Sequence, residues 1–404
     1  MAHSRRGALS LTGAAVAAGL AGCVTSSDSS TDAGGSGGSG AGDSGSGDSG
    51  SGDSSGSDSD AETYEVGYGD FQTSVSASEF PEKLFVYAVQ TGWSNWGAQM
   101  ETFEEQYGVP LNDDQRSSGE ALSDLRSHAQ DPTHSAYNGG YTFGILAMQD
   151  GLTQAYKPAN WDKVPEKLKT DDGHMTATRR MTTTVTYRKD IYEEQGIEPP
   201  ETWEDLKREE IASKTQYQPP NAAVGLAGAL SINNAYGGSL DDVQPVIDYY
   251  NEVKEKGAVF AGNVEQKFTK GEVHTFVEYD YTGLDLKYNA DSIGEDQVAT
   301  TLLTGPNGEK GAFNQPYGYG MLKGAPNPEA CKLFMDYVLS LEGQRKFLDA
   351  FVRPIRAPEL EMPEEFPPQS RYEETEFQVD YTKLVDNQES IIEEIGKGVG
   401  LTGY

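Results

Sequence analysis

Strand-like and helix-like patterns alternate along residues 83–148, and this alternation constrains the fold more than any other feature of the sequence. Lys83 to Val89 is a short apolar run typical of a buried strand, and Met100, Phe103 and Tyr107 follow at helical spacing. Two further strand–helix units complete the range. Alternating strands and helices predict a mainly parallel α/β sheet, in which ligands bind at the carboxyl ends of the strands.

The alternation stops at Thr182–Tyr187, a β-branched extended run with no helix pattern directly after it. A second α/β block continues to about residue 308, and another extended run lies near Phe313–Leu322. Residues 328–351 predict one or two long helices, and residues 381–395 predict an amphipathic helix. Because a chain of 404 residues is long enough for two domains, we expect two α/β blocks joined by two extended segments.

Residues 1–23 have the features of an export leader. Arg5 and Arg6 precede an apolar stretch from Ala8 to Leu20, and Cys23 follows a pair of small residues. This arrangement resembles a twin-arginine lipoprotein signal, which implies a lipid anchor on Cys23 at the outer face of the cell membrane. The apolar stretch of about 13 residues is shorter than the roughly 20 that a membrane-spanning helix needs.

Residues 24–60 consist almost entirely of Ser, Gly and Asp. Such a segment cannot bury enough apolar surface to offset the entropy of ordering, so we expect a disordered, solvated tether. It would hold the folded part of the chain about 30 Å from the membrane.

Acidic residues outnumber basic residues by 64 to 31, which gives a formal net charge of −33. Strong salt screens the mutual repulsion of such a surface, and in this respect the chain resembles secreted proteins of haloarchaea. The same charge disfavours a nucleic-acid partner. The acids form no calcium-loop motif and the histidines show no metal-ligand spacing, so these residues predict no metal site.

Two local predictions concern single residues. Cys331, which is the only cysteine beyond the leader, falls on the apolar face of a predicted helix and is expected to be a buried core residue. Thr202 is expected to cap a helix that begins near Trp203.

Several short strings carry a family resemblance. Pro199–Leu206, Asn327–Ala330, Leu339–Gln344 and Val352–Arg356 resemble, in order and spacing, strings of the extracellular solute-binding proteins of ABC importers. The group includes ferric-iron, thiamine, polyamine and phosphonate binders. The resemblance covers residues 83 to about 358.

The resemblance implies a two-lobed α/β fold of the periplasmic-binding-protein type (type II), with two strands that cross between the lobes as a hinge. Mapped onto this sequence, lobe one holds residues 81–185 and 312–404, and lobe two holds residues 186–311. The crossovers then lie near Thr183–Tyr187 and Asn314–Gly320. Closure of the lobes on a small molecule or ion would shift an existing equilibrium between open and closed forms.

The same resemblance implies partners. The closed form would be recognised by the permease subunits of the importer, and the lipid on Cys23 would attach the protein to the membrane. The resemblance implies no enzymatic activity and no cofactor, and we expect a monomer.

Loops at the predicted strand ends of lobe one are candidates for ligand contact. The helix that begins at Gly119 would direct its positive end inward, which favours an anionic or carbonyl oxygen, although the segment around it could be an ordinary helix cap. Trp93 or Trp96 could stack on a planar or cationic ligand or, alternatively, pack beneath the loop. The candidates are Thr91, Gly92, Trp93, Asn95, Trp96, Ser117, Ser118, Gly119, Asn138, Gly139, Gly140 and Tyr141.

Lobe two offers the segment Glu278–Gly283, at the end of a predicted strand. Ferric-iron members of the group carry two adjacent tyrosines here, whereas this chain places Asp280 and Tyr281 at those positions, which weakens an iron assignment. We expect Tyr279, Asp280 and Tyr281 to contact the ligand. A hard cation would be held by Asp280 and Tyr281 with Glu278, and the same residues suit an organic cation.

Three residues near the predicted hinge complete the candidate set. Tyr317 and Tyr319 can reach the cleft from the second crossover or pack within an interlobe strand. Arg356 could bind a carboxylate or phosphate through two hydrogen bonds, or it could tie the last helix to its lobe.

Two other classes of protein, secreted hydrolases and adhesion proteins, fit the sequence less well. A secreted hydrolase needs a nucleophile with a base, a metal cluster or paired carboxylates, and no such arrangement stands out. Adhesion proteins tend to be β-rich repeats, and the sequence shows no repeat outside the tether. The ligand stays open among a polyamine, a thiamine-like cation, ferric ion, and a phosphonate or other organic acid, with a small organic solute favoured over iron.

Overall fold

A computed structural model describes residues 61–88 and 94–401. The predicted leader, Cys23 and the tether lie outside these residues, as do Thr91, Gly92 and Trp93. In the two ranges that are described, none of the helices combines the length and apolar character needed to cross a bilayer.

The strands and helices confirm a mixed α/β fold. In chain order the strands are β1 Thr63–Val66, β2 Thr73–Ser76, β3 Leu84–Ala88, β4 Leu111–Gln115, β5 Ala136–Gly140, β6 Thr176–Arg188, β7 Thr215–Tyr217, β8 Val259–Phe260, β9 Thr275–Tyr279, β10 Val298–Thr301, β11 Ala312–Met321, β12 Arg353–Pro354 and β13 Glu376–Phe377. The helices are α1 Trp96–Tyr107, α2 Ser118–Ser127, α3 Tyr141–Gln149, α4 Lys189–Gln195, α5 Glu209–Ala212, α6 Ala223–Ala235, α7 Gln244–Glu255, α8 Val264–Thr269, α9 Asp280–Tyr288, α10 Pro328–Leu339, α11 Leu341–Leu348, α12 Gln369–Thr375 and α13 Tyr381–Val399.

Two long strands, β6 and β11, form the centre of the sheet and join its two halves. The main strand order is β4-β3-β5-β11-β6-β9-β7-β8. On one side β3 is parallel to β4 and β5, and on the other side β7 is parallel to β8 and β9. Strand β11 pairs antiparallel with β5 and β6, and β6 pairs antiparallel with β9. This topology confirms the two-lobed periplasmic-binding-protein fold, with β3–β5 in lobe one and β7–β9 in lobe two.

The central strand β6 is buried along its whole length. Its Thr and Val residues favour extended backbone, and the sheet pairing covers both of its edges. Glu376 is a partner of two of its polar side chains, since Thr182 donates to Glu376 Oε1 and Arg180 lies 3.5 Å from Glu376 Oε2. Arg353 of β12 also donates to Glu376 Oε1. The C-terminal segment that carries Glu376 is thereby tied to the centre of the sheet.

Helix boundaries follow local capping chemistry. Helix α1 ends at Gly108, where φ is +69°, as the sequence predicts. Helix α2 begins with a capping box, in which Ser117 accepts from the Glu120 N–H and Glu120 accepts from the Ser117 N–H. The long helical region after residue 328 is two helices, because Ser340 caps the second one by accepting from the Gly343 N–H at 3.1 Å.

One predicted helix start is wrong. Thr202 caps no helix at Trp203; its hydroxyl and N–H donate to Asp205 Oδ2, and residues 205–207 form a short 3-10 turn. The Trp203 side chain is buried and donates from Nε1 to the Gly311 carbonyl at 2.8 Å, which holds this segment against the sheet. Cys331 is buried in the core, as predicted.

The last helix, α13, packs against both lobes. It contacts α3 of lobe one and α7 of lobe two. Gln149 of α3 donates to Asp386 Oδ1 at 3.2 Å, and Lys254 of α7 donates to the Val399 carbonyl at 2.7 Å. Helix α13 therefore bridges the two halves of the fold on one side of the crossing strands.

Candidate ligand-binding site

A cavity of about 710 Å³ lies where the crossing strands meet helices from both lobes. Its walls come from the starts of α2 and α3, the starts of α6 and α9, the strands β6 and β11, and one face of α13. A concave site of this volume suits a small molecule. The position, at the carboxyl ends of parallel strands, is the one that the sequence predicts for a ligand.

Among the described residues, four helices begin at the cavity wall. Ser118 starts α2, Gly140 precedes α3, Ala222 precedes α6 and Tyr279 precedes α9, and all four residues line the cavity. The first N–H groups of a helix lack partners within the helix and carry partial positive charge. Their convergence favours an anionic oxygen in the cavity.

Three of these helix starts have no hydrogen bond from a side chain at the capping position. Gly140, Ala222 and Tyr279, which occupy the capping positions of α3, α6 and α9, make no side-chain hydrogen bond to their helices. The starts of α2 and α3 are joined, because the Gly140 N–H donates to Ser118 Oγ at 2.9 Å. An oxygen of a ligand can therefore take the place that a capping side chain would occupy at α6.

Three tyrosines of the described chain, Tyr279, Tyr281 and Tyr317, also line the cavity. The rings of Tyr279 and Tyr281 stack with their centroids 6.2 Å apart. Tyr279 is 6% exposed, and its hydroxyl has no hydrogen-bond partner among the described residues. Burial raises the pKa of all three phenols, so at neutral pH they are protonated hydrogen-bond donors.

The charged groups at the cavity differ from the acidic average of the chain. Of the described residues that line it, only Arg116 and Glu120 carry charged side chains. Arg116 is partly exposed and pairs with Asp114 at 2.8 Å and with Asp124 at 3.0 Å. The buried guanidinium of Arg179 lies behind the wall, 5.2 Å from the centroid of the Tyr317 ring. The described lining of the cavity thus carries one positive and one negative side chain, in contrast to the net charge of −33 of the chain.

Hydrocarbon makes up much of the rest of the cavity wall, which also includes the polar side chains of Gln115, Thr142, Asn221, Gln315 and Gln388. Helix α6 contributes Leu226 and Leu230, β11 contributes Phe313, and α13 contributes Leu384 and Ile392. Phe143 and Met181 extend this surface. The cavity therefore offers hydrogen-bond donors at one part of its wall and hydrocarbon at another.

Seven of the residues that the sequence predicts as ligand contacts line the cavity. They are Ser117, Ser118, Gly119, Gly140, Tyr279, Tyr281 and Tyr317. Ligand contact by these residues stays a prediction, and their position is consistent with it.

The structure does not bring Trp96, Tyr319 or Asn95 to the cavity. Trp96 and Tyr319 are 0% and 1% exposed and pack in one aromatic cluster with Phe334 and Phe347, which leaves no ring face for a ligand. Asn95 precedes α1 in a left-handed conformation and donates from Nδ2 to the Lys346 carbonyl at 2.6 Å. All three have structural roles, which corrects the expectation for these positions.

Four further candidates from the strand ends and the C-terminal segment are also used by the fold. Asn138 is buried and accepts from Arg179 at 2.9 Å. Gly139 lies against the Tyr137 hydroxyl, where a Cβ atom would be only 2.3 Å from that oxygen. Tyr141 is buried with its ring edge against Tyr381.

Arg356 is the fourth. It donates to both carboxylate oxygens of Glu359 at 2.8 Å and to the Leu339 carbonyl at 2.7 Å. It therefore ties the turn at residues 357–359 to the end of α10. This is a structural role, but the partner is not the last helix, as the alternative to ligand binding had it.

Asp280, which would join Tyr281 as a ligand if the solute were iron, does not line the cavity either. It is 1% exposed and accepts from the Thr182 N–H at 3.0 Å and from the Tyr372 hydroxyl at 3.1 Å. Burial raises its pKa to about 6. Asp280 and Tyr281 therefore do not form a joint ligand set, and no group of three or more His, Cys, Asp or Glu side chains within 61–88 and 94–401 is placed to hold a metal.

Two parts of the cavity wall, the start of α6 and one face of α13, are not among the residues that the sequence predicts as ligand contacts. The start of α6 lacks a capping side chain, so only the Pro219–Pro220 pair just before it could have marked the position. Leu384, Gln388 and Ile392 follow four-residue spacing on α13, but the sequence alone does not tell which elements that face contacts.

Comparisons with known proteins agree with this geometry. A family model described as bacterial extracellular solute-binding protein matches residues 98–366. No curated protein sequence matches the chain.

Solved structures share the fold at low sequence identity. Iron-bound HitA from Pseudomonas aeruginosa matches with a TM-score of 0.64 and 17% identity, covering 78% of this chain and 100% of that one. AfuA from Actinobacillus pleuropneumoniae, with fructose-6-phosphate bound, matches with a TM-score of 0.60 and 19% identity over 79% and 99% of the two chains. The ferric binding protein from Campylobacter jejuni matches with a TM-score of 0.61 and 19% identity, covering 79% of this chain and 99% of that one. With the family model spanning both lobes and the crossing strands, the chain belongs to the bacterial extracellular solute-binding proteins.

Proposed function

We propose that this protein is the solute-binding component of an ABC importer and that its ligand is a small organic anion. The observation that carries the choice of an anion is the convergence of four helix starts on one cavity, together with the buried, unpartnered hydroxyl of Tyr279. Both features supply hydrogen-bond donors, and the one carboxylate in the described lining, that of Glu120, already accepts from the Ser117 N–H. The phosphorylated sugar in the structure of AfuA, which shares the fold, is a ligand of this chemical class.

The mechanism follows from the two lobes. Starts of helices from lobe one and from lobe two face the same cavity, so an anion held by both lobes would favour the closed arrangement. The closed protein would then deliver the solute to the permease subunits. Binding in this scheme involves no chemical change of the solute.

The proposal extends to the parts of the chain outside the described residues. Export by the twin-arginine route, lipidation of Cys23 and a tether over residues 24–60 would keep a monomer near its permease on the outer face of the membrane. The net charge of −33 suits a surface that works in strong salt.

Thermal unfolding with a panel of solutes tests the ligand class. A ligand at one hundred times its dissociation constant stabilises the folded protein by about 2.7 kcal/mol, so a clear rise in melting temperature is expected with carboxylates or phosphate esters. Polyamines and thiamine should give no rise at the same ionic strength. A rise with the cations and none with the anions would contradict the proposal, and consumption of any added solute would favour a hydrolase.

Ferric ion is the second candidate, because the hydroxyls of Tyr279, Tyr281 and Tyr317 belong to one cavity and two of the structures compared are iron-binding proteins. Phenolate oxygens suit hard cations. The raised pKa values of these phenols and the engagement of Asp280 elsewhere favour the anion instead. Titration with ferric citrate decides between them, since tyrosine ligation gives a visible charge-transfer band and anion binding gives none.

A further inference from the structure

One wall of the cavity is formed by the C-terminal helix. Leu384, Gln388 and Ile392 of α13 line it at four-residue spacing, which places them on a single helix face. This helix lies beyond residue 366, where the match to the family model ends. Hydrogen bonds from Gln149 and Lys254 hold α13 to elements of both lobes.

Hydrocarbon predominates on the surfaces next to this wall, although Gln388 of α13 and Gln315 of β11 are polar lining residues. Leu226 and Leu230 of α6 line the cavity, as do Met181 and Phe313 of the crossing strands. Leu230 lies eight residues beyond Ala222, which is about 12 Å along a helix. The cavity therefore runs from hydrogen-bond donors at the start of α6 to hydrocarbon roughly two turns farther along the same helix.

We propose that the ligand is an amphiphilic anion, with a carboxylate or phosphate group at the helix starts and a hydrocarbon or aromatic portion against Leu384 and Ile392. This inference rests on the anion binding proposed above and adds the chemistry of the rest of the ligand. The hydroxyl groups of a polyhydroxylated solute would lie unpaired against Leu384 and Ile392, which disfavours it even though Gln388 lies between these two residues. The side chains of α13 thereby become the residues that determine specificity for ligand length.

A series of straight-chain carboxylates, from acetate to octanoate, tests the inference on the full chain by calorimetry at fixed ionic strength. Each added methylene that is buried should raise the affinity about fourfold until the cavity is filled. Inorganic phosphate and hexyl phosphate, run in parallel, distinguish a phosphate headgroup from a carboxylate. Octylammonium has the octanoate tail with the opposite charge and should not bind.

A pair of variants on α13 locates the effect. Ile392 is half-buried, so Ile392→Ser is expected to fold and to weaken octanoate binding about tenfold while leaving acetate unchanged. Glu389→Gln, on the exposed side of the same helix, should change neither. If Ile392→Ser fails to fold, the chain-length series on the unmodified protein decides alone.

The outcomes separate the two proposals. Equal affinity along the series would overturn the amphiphilic ligand and leave anion binding intact, and an unchanged octanoate affinity in folded Ile392→Ser would overturn the role of α13. Absence of binding by every anion, carboxylate and phosphate alike, would overturn the proposed function and this inference with it.

Discussion

The donor-rich and the apolar parts of the cavity differ in how the chain produces them. The donor-rich part consists mainly of helix starts within residues 98–366, to which Tyr279 adds one hydroxyl, so most of its donors follow from the backbone fold. The apolar part depends on particular side chains, two of which, Leu384 and Ile392, belong to a helix beyond that range. Because the two parts of the cavity are produced in different ways, substitutions should be able to change the preference for ligand charge and the preference for ligand shape separately.

The largest loss of anion affinity is expected when a negative charge is placed at a helix start of the donor-rich part. Ala222→Asp would put a carboxylate at the uncapped start of α6, where the ligand anion is expected. Like charges in contact cost several kcal/mol, so anion binding should fall about a thousandfold. The same substitution should stabilise the fold by about 1 kcal/mol, because Asp is a preferred capping residue.

Ala222→Ser is the matched control for this substitution. It caps the helix without adding charge, and it should keep most of the anion affinity. Calorimetry with the best anion of the panel and denaturant unfolding measure the two effects. Unchanged anion affinity in Ala222→Asp would show that the anion does not lie at α6.

The second prediction removes one donor from the same end of the cavity. Tyr279→Phe should weaken anion binding about thirtyfold, since a hydrogen bond to a charged group contributes about 2 kcal/mol. Stability in the absence of ligand should not fall, because the Tyr279 hydroxyl has no partner among the described residues. Tyr319→Phe, at an equally buried tyrosine in the core, should leave binding unchanged. Equal effects of the two substitutions on affinity would argue that Tyr279 acts only through packing.

The third prediction concerns Asp280, which is buried next to the donor-rich end, and its effect on the free energy of unfolding at different pH values. Burial raises the pKa of Asp280 to about 6, above the value of 3.8 for the free side chain. The folded state therefore holds this proton more tightly than the unfolded state, and the stabilising contribution is full below about pH 4 and is lost as the pH rises through 6. The contribution of Asp280 to the free energy of unfolding should fall by about 1 kcal/mol between pH 5 and pH 7.

Asp280→Asn, which cannot titrate, should show a correspondingly smaller fall over this pH range. Denaturant titrations of both proteins at several pH values give the comparison. Identical pH profiles for the two proteins would mean that Asp280 is ionised throughout, contrary to the effect of its burial.

The smallest effect is expected at Arg116, the partly exposed cation of the cavity wall. Arg116→Gln should weaken anion binding about threefold in dilute buffer, because exposed charges contribute little. The difference should vanish in strong salt, where exposed charges are screened. A larger loss that persists in salt would show that Arg116 contacts the ligand directly, which would sharpen the description of the donor-rich end.

The sequence predicted the elements of the fold better than the walls of the cavity. Hydrophobic spacing is sufficient for most helices, because burial of one face produces that spacing directly. The central strand β6, which is buried along its whole length, is marked instead by its β-branched run. The start of α2 could be predicted because Ser117 and Glu120 form a capping box. The start of α6 could not, since Ala222 carries none of the side chains that mark a helix start.

The orientation of side chains explains the remaining differences between the predicted ligand contacts and the residues that line the cavity. Trp96 lies in a polar stretch of sequence, yet its indole packs in the core, and spacing in a loop does not encode that direction. At the end of β9, Tyr279 and Tyr281 line the cavity while Asp280 between them is buried against Thr182 and Tyr372. The change from strand to helix occurs at this residue, so a shift of one position in the expected boundary exchanges the residues that line the cavity.

Native mass spectrometry of the protein purified from its source in strong salt is the decisive test of the proposed ligand class, because a binding protein of this kind can retain its solute. We expect a retained organic acid or phosphate ester with an apolar portion, released on denaturation and chemically unchanged. A retained ferric ion or organic cation would contradict it.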